Sequence, residues 1–173
     1  MPTTRPSDIT TIPAFYRDYV SEAPGDDLRI ALLLASDRLH ALLDGLTDEQ
    51  ASHRYAPGKW TVKEVLQHMV DSERIFAYRA LRLARNDSTE LPGFEENDYV
   101  PEARCDLRMI DDILVEHDAV RAATITLFDS FDEQALERVG TANGNRIGVR
   151  AIGWVIAGHA LHHIRILHER YLP

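Results

Sequence analysis

Three histidines carry the chemistry that this sequence indicates most clearly. His68 lies in one amphipathic stretch, and His159 and His163 lie in another near the end of the chain. All three fall on the apolar stripes of predicted helices, where burying a polar group without a partner costs about 1–3 kcal/mol. Three inward-facing imidazoles must each be hydrogen-bonded or share one partner, and a divalent metal suits neutral imidazole best.

The later pair has the spacing of two ligands on one helical face. Side chains three or four residues apart line up on a helix, so His159 and His163 interrupt an otherwise apolar stripe one turn apart. Such a pair can hold one metal ion from one side. His162 competes for the second position, but it shares its face with Arg165 and Glu169, which favours His163.

The same pair has the outer spacing of the His-Glu-x-x-His motif of zinc metalloproteases. Ala160 stands where that motif has its general base, so a protease of this mechanism is excluded. His68, from a facing helix, would complete a three-histidine set with open coordination positions, as a catalytic site requires. The alternative is that each histidine is a hydrogen-bonded core residue without metal.

Acidic residues near the histidines are candidates for proton handling. Asp71 lies one turn after His68 and is the predicted catalytic residue, as an acceptor that orients an imidazole or moves a proton. A long loop is predicted over 86–105, because Pro92, Gly93 and a second proline interrupt any helical pattern there. Further candidates on this loop are Glu95, Glu96, Asp98 and Tyr99.

Capping and turn residues set the expected helix boundaries. The clearest start is a capping box, with Thr61 as N-cap and Glu64 three residues later. Asp26 or Asp27 caps the first long helix, which stops at Gly45. The long helices are therefore expected over about 27–44, 61–85, 106–128 and 149–171, with short helical turns at 15–20 and 47–50 and a small hairpin within 131–147.

Length and composition favour one globular domain, since 173 residues with 45% hydrophobic and 27% charged side chains can form a single core. We assign 27–173 to this domain and 1–26 to an N-terminal extension that packs on it.

The net charge of −9 argues against a nucleic-acid partner. Cys105 is the only cysteine, which excludes an intrachain disulfide. The sequence has neither a signal-peptide pattern nor an apolar run of membrane-spanning length, so a cytoplasmic location without membrane contact is expected.

Several stretches of the chain resemble the DinB-like superfamily, over roughly residues 14–172. They are Trp60-Thr61, the runs 68–73 and 78–81, Leu91 to Phe94, 138–150, and Gly158 to His163 with the terminal 169–172. The resemblance implies an all-α four-helix bundle with long crossover connections and a short N-terminal helical segment. It also implies one divalent ion, nickel or zinc, held by His68, His159 and His163, and a homodimer.

The resemblance extends to bacillithiol- and mycothiol-dependent transferases. The expected function is therefore a metal-dependent thiol S-transferase, in which the ion activates a low-molecular-weight thiol for attack on an electrophilic substrate. One alternative is a metal-dependent hydrolase, which would turn over without a thiol. The other is a non-catalytic metal-binding module related to stress, because fold and metal carry over within such a superfamily better than a reaction does.

Overall fold

The computed structural model describes residues 3–172, and four long helices form its body. The long helices are α2, α4, α6 and α8, four short helices flank them, and β1 and β2 form an antiparallel hairpin. The elements are α1 (Arg17–Glu22), α2 (Leu28–Leu43), α3 (Asp48–Ala51), α4 (Val62–Ala84), α5 (Glu96–Glu102), α6 (Ile110–Asp129), α7 (Glu133–Leu136), β1 (Val139–Ala142), β2 (Asn145–Gly148) and α8 (Val149–Arg170).

Local sequence chemistry accounts for the starts and stops of the long helices. The Thr61 hydroxyl accepts from Glu64 N while the Glu64 carboxylate accepts from Thr61 N, which is the predicted capping box of α4. The Asp27 carboxylate caps α2 by accepting from the backbone of its first turn. After α2 the chain turns at Gly45, whose φ of 70° is the left-handed conformation that favours glycine.

The bundle core lies where α8 packs against α2 and α4, and where α4 packs against α6. Trp154 of α8 is fully buried and donates from Nε1 to the Thr4 carbonyl oxygen at 2.9 Å, so the N-terminal segment is tied to the bundle. The short helix α1 also packs on α8. Residues 1–2 and 173, the outer ends of the predicted extension and domain, lie outside the described residues.

The predicted loop over 86–105 is only partly irregular, and this part of the expectation was wrong. It contains α5, and Leu91 forms a parallel bridge with Ala142 of the hairpin. The helix α6 starts at Ile110, later than the expected residue 106, because a 3-10 turn precedes it and Arg104 has a φ of 49°. The Asp48 carboxylate accepts from Ile110 N at 2.8 Å and fixes this later start.

The hairpin predicted within 131–147 is present, displaced by one residue at its end, and it follows the short helix α7, which the sequence did not predict. Its turn is Asn143-Gly144, and both residues have positive φ, 51° and 68°, as a type I′ turn requires. None of the helices within residues 3–172 combines the length and apolar character needed to cross a membrane.

Candidate metal centre

Two helices bring the three predicted ligands together. His68 lies on α4, while His159 and His163 lie one turn apart on α8. His159 Nε2 is 3.1 Å from His68 Nε2 and 3.0 Å from His163 Nε2. One ring nitrogen from each of the three side chains lies within 4.8 Å of the other two. Positions far apart in sequence therefore meet at a single point between the helices.

The spacing of these nitrogen atoms fits one divalent ion. Two nitrogen ligands, each about 2.0–2.1 Å from a shared ion, are about 2.8–3.0 Å apart at octahedral angles and about 3.3–3.4 Å apart at tetrahedral angles. Protons alone satisfy the cluster poorly, because each neutral imidazole has one N–H and one lone pair, so His159 Nε2 can form a full two-centre hydrogen bond with only one of the two Nε2 atoms that it faces. With the N–H on Nδ1 in each ring, three lone pairs converge on the place of a cation.

Burial keeps the three imidazoles neutral, which is the form that binds metal. Burial lowers the pKa of His68 to about 4. Burial, with the His68 and His162 rings nearby, lowers the pKa of His163 to about 3. The pKa of His159 is also held well below its ordinary value, first by burial and then by the neighbouring imidazoles. At neutral pH the lone pairs are therefore available.

Ser72, and not Asp71, makes the contact with a ligand imidazole. The Ser72 hydroxyl lies 3.5 Å from His68 Nδ1, a long contact that suits donation from Nδ1 and leaves Nε2 free for a cation. The structure does not bring Asp71 to the histidines, since its carboxylate accepts from Gln67 Nε2 at 3.0 Å. Burial raises the pKa of Asp71, which is 27% exposed and lies 4.0 Å from Arg74.

The histidines form one part of the wall of a cavity of about 410 Å³. Aromatic rings cover much of the rest: the Trp60 ring centroid is 4.9 Å from that of His68, and the Tyr19 centroid is 5.5 Å from that of His159. The Tyr171 hydroxyl donates to the Trp60 carbonyl oxygen at 2.8 Å and so holds this part of the wall against the end of α8. The cavity therefore has an apolar surface next to the three ring nitrogens.

Of the four proton-handling candidates near α5, only Glu96 lines the cavity. Glu95 is the N-cap of α5, and its carboxylate accepts from Asn97 N at 3.1 Å. Tyr99 packs beside Phe94, with ring centroids 5.3 Å apart. The prediction of proton-handling groups on this segment thus stays a prediction for Glu96.

Sequence reasoning missed two polar residues of the cavity wall, Arg79 and Asn143. Arg79 lies on α4 three turns after His68, so the two side chains share one face of the helix. Helical periodicity could therefore have identified Arg79 from the sequence. Asn143 reaches the cavity because the hairpin turn stands beside Gly93, where a Cβ would overlap the Asn143 amide. No local pattern predicts this meeting of two distant turns.

A second group of ligand-type side chains comprises His40, His117 and Asp118. His40 Nε2 lies 2.8 Å from Asp118 Oδ1, and His117 Nδ1 lies 3.2 Å from the same oxygen. One carboxylate thus serves both rings, so hydrogen bonding accounts for this group. Cys105 is buried, and burial raises the pKa of its thiol to about 11, which disfavours the reactive thiolate form.

The chain is similar to several proteins whose names refer to metal-dependent hydrolysis. A protein of Geobacillus thermodenitrificans is 28% identical over 103 residues, 60% of this chain and 58% of that protein. A protein of Geobacillus kaustophilus is 27% identical over 132 residues, 75% and 74% of the two chains. Both are provisionally named metal-dependent hydrolases, and the match spans little more than half of the first relative's length.

Among solved structures, YfiT from Bacillus subtilis has the same fold. It is described as a probable metal-dependent hydrolase with an unusual four-helix bundle topology. The TM-score is 0.71 at 17% identity, with 95% of this chain and 91% of that chain covered. This likeness confirms the predicted all-α four-helix bundle.

The family is shown by a model that matches most of the chain. The model of the DinB superfamily matches residues 31–167, a range that contains all three histidines of the cluster. The three-histidine site and the metal-dependent relatives together support a divalent metal. This chain belongs to the DinB superfamily.

Proposed function

We propose that this chain is a metal-dependent hydrolase whose divalent ion, zinc or nickel, is held by His68, His159 and His163. The observation that carries the proposal is the meeting of three neutral imidazole Nε2 atoms at the wall of a cavity of about 410 Å³. Imidazole suits both metals. The provisional names of the relatives support hydrolysis as the reaction.

The chain supplies orientation, shape and proton handling around the ion. A divalent ion held by the three histidines would supply open coordination positions, polarisation of a carbonyl oxygen and activation of a water molecule. Ser72 orients the His68 ring through Nδ1, and the rings of Trp60 and Tyr19 limit the access of bulk water. Glu96 is the carboxylate on the cavity wall, and its Oε atoms accept a proton released there.

A thiol S-transferase is the second candidate. Within residues 3–172 the group of ligand-type side chains around the three ring nitrogens includes no carboxylate. A thiol coordinated to a divalent ion is deprotonated outright and needs no adjacent base. The cavity would then hold a low-molecular-weight thiol and an electrophilic substrate side by side.

The two reactions are separated by leaving out the thiol. The zinc-loaded and nickel-loaded proteins are tested on 4-nitrophenyl esters without thiol, and on monochlorobimane with a low-molecular-weight thiol such as bacillithiol. We expect ester turnover without thiol in the wild type and in His162→Ala, which keeps the three ligands, and loss of at least about a hundredfold in His163→Ala.

Turnover of monochlorobimane with thiol, without any ester turnover in the absence of thiol, would replace the hydrolase proposal with the transferase proposal. Equal rates in wild type and His163→Ala would contradict both reactions at this centre. If the protein retains metal but turns over none of these substrates, the remaining alternative is the non-catalytic metal-binding module.

A further inference from the structure

Arg79 places a buried positive charge on the wall of the cavity that holds the three histidines. The residue is 4% exposed, yet no carboxylate oxygen in residues 3–172 lies within 4.0 Å of its guanidinium nitrogens. The other arginines along α4 behave differently, since Arg74 pairs with Glu116 and Arg82 pairs with Asp87. Arg79 is thus the arginine of this helix that faces the cavity.

The groups that touch Arg79 orient it without neutralising it. Its Nη2 donates to the Pro92 carbonyl oxygen at 2.7 Å, and its guanidinium carbon lies 5.7 Å from the Phe76 ring centroid and 6.0 Å from that of Phe94. Tyr16 is a further polar neighbour, and burial raises the pKa of its phenol, which keeps it neutral. A guanidinium has five N–H donors, so several remain for a ligand.

Such a charge is costly to bury. An ionised group removed from water without a counter-ion loses several kcal/mol of solvation. Burial lowers the pKa of Arg79, yet arginine does not release its proton in proteins. The carboxylate of Glu96 lines the same cavity but lies more than 4.0 Å from these nitrogens. An anionic group brought by a ligand would offset this cost.

We propose that the ligand of this cavity carries a carboxylate that Arg79 binds through its planar guanidinium, while the other end of the ligand meets the three histidines. This inference rests on the proposed function and names its substrate class, a carboxylic acid whose apolar body contacts the aromatic wall. The planar fork of arginine matches a carboxylate with two parallel hydrogen bonds. The amide of Asn143, on the same wall, supplies a neutral donor beside it.

Paired probes test the assignment by binding alone. Hydroxamic acids that carry a distal carboxylate on two to six methylene groups are titrated calorimetrically into the zinc-loaded protein, and each is compared with its distal primary carboxamide. The hydroxamate binds zinc in both members of a pair, so their difference reports on Arg79. At the best chain length we expect wild type to bind the carboxylate at least about tenfold more tightly than the carboxamide.

Arg79→Met should remove this preference, so that both probes bind with affinities within about threefold of each other. Arg79→Lys keeps the charge without the planar fork and should retain an intermediate preference. Arg82→Met, on the same helix but outside the cavity, should bind both probes as wild type does. Glu96→Gln removes the acidic group from the wall and should increase the preference for the carboxylate.

Equal affinity of wild type for both members of every pair would overturn the role of Arg79 and leave the metal centre standing. Failure of both members to bind, with zinc present at one ion per chain, would contradict the proposed open coordination site and the inference with it. If Arg79→Met does not fold by circular dichroism, the wild-type comparison and Arg79→Lys decide the question.

Discussion

Gly158 of α8 lies directly against the backbone of Tyr19. A Cβ on Gly158 would overlap the Tyr19 carbonyl group and lie 2.8 Å from the Tyr19 Cα. This close approach seats α1 on α8 and places the Tyr19 ring centroid 5.5 Å from that of His159. A glycine in the middle of a helix costs about 1 kcal/mol relative to alanine, and here it allows one wall of the metal centre to form.

Gly158→Ala should therefore destabilise the protein, although the same change in an ordinary helix is stabilising. We expect a loss of about 1–3 kcal/mol in the free energy of unfolding, measured by urea denaturation, because backbone cannot move aside as a side chain can. Gly153→Ala is the matched control and should lower the free energy of unfolding less, because its Cβ would meet the side chains of Leu28 and Phe128 and not backbone. A Gly158→Ala variant as stable as wild type would show that α1 does not hold this position in solution.

Metal analysis of purified protein should find one divalent ion per chain. Replacing His68, His159 or His163 by alanine should each lower the affinity for zinc by at least about a hundredfold, because two imidazoles remain. His162→Ala should retain full occupancy, since His162 Nδ1 lies beside Arg165, 3.2 Å from its Nη2. Competition with a chromogenic chelator measures the affinities. Equal loss in His162→Ala would mean that the wrong pair on α8 has been assigned.

The metal-free protein should lose stability as the pH falls below about 6.5. The folded-state pKa values of His68 and His163 are about 4 and about 3, below the ordinary 6.5, so the unfolded chain binds more protons across this interval. Between the folded and unfolded pKa values, each histidine therefore lowers the free energy of unfolding by up to about 1.4 kcal/mol for each pH unit of acidification. Above pH 6.5 neither histidine lowers it.

Urea denaturation of the chelator-treated protein at pH 7.0, 6.0 and 5.0 measures this dependence. The double variant His68→Asn, His163→Asn should show a shallower slope, because asparagine does not titrate. Parallel slopes in the two proteins would contradict the assignment of acid sensitivity to these rings.

The pairing of Glu73 with Arg121 should be the most costly polar contact of the bundle to break. Arg121 Nη2 donates to Glu73 Oε2 at 2.7 Å, its Nη1 donates to the Leu32 carbonyl oxygen at 2.6 Å, and both charged side chains are buried. Glu73→Ala leaves the arginine buried without a counter-ion and should cost about 3–5 kcal/mol of unfolding free energy.

The double variant Glu73→Leu, Arg121→Met should recover much of that loss, because no charge is then left without a partner. Thermal and urea denaturation of the three proteins measure the effect. A double variant less stable than Glu73→Ala would show that the pair is worth more than apolar packing of similar volume.

Local signals carried most of the helical architecture. The capping box at Thr61 and Glu64, and the stop at Gly45, set helix ends within one or two residues, because capping depends on neighbours in sequence. The segment after Pro92 was harder to predict. The helix α5 forms there despite Pro101 in its interior, with Glu95 as N-cap, and the Leu91–Ala142 bridge depends on a distant hairpin.

For the candidate site, helical periodicity singled out three histidines that the fold brings together, because a histidine on an inner stripe interrupts an otherwise apolar pattern. It did not distinguish Asp71 from Ser72 as the partner of His68, since one residue changes the direction of a helical side chain by about 100°. The role of Arg79 depends on which arginines find carboxylates, and those partners lie on other elements. Such pairings are properties of the folded bundle.

The hairpin turn at Asn143-Gly144 gives this scaffold a separable means of changing selectivity. The turn reaches the cavity wall from outside the bundle, at the end of the hairpin where Ala142 forms its bridge with Leu91, while β2 leads directly into α8 at the other end. Lengthening the hairpin turn, or substituting its side chains, would alter which molecules enter the cavity while the three imidazoles keep their arrangement. Proteins that descend from one ancestral bundle could in this way acquire different substrates while the three-histidine cluster stays the same.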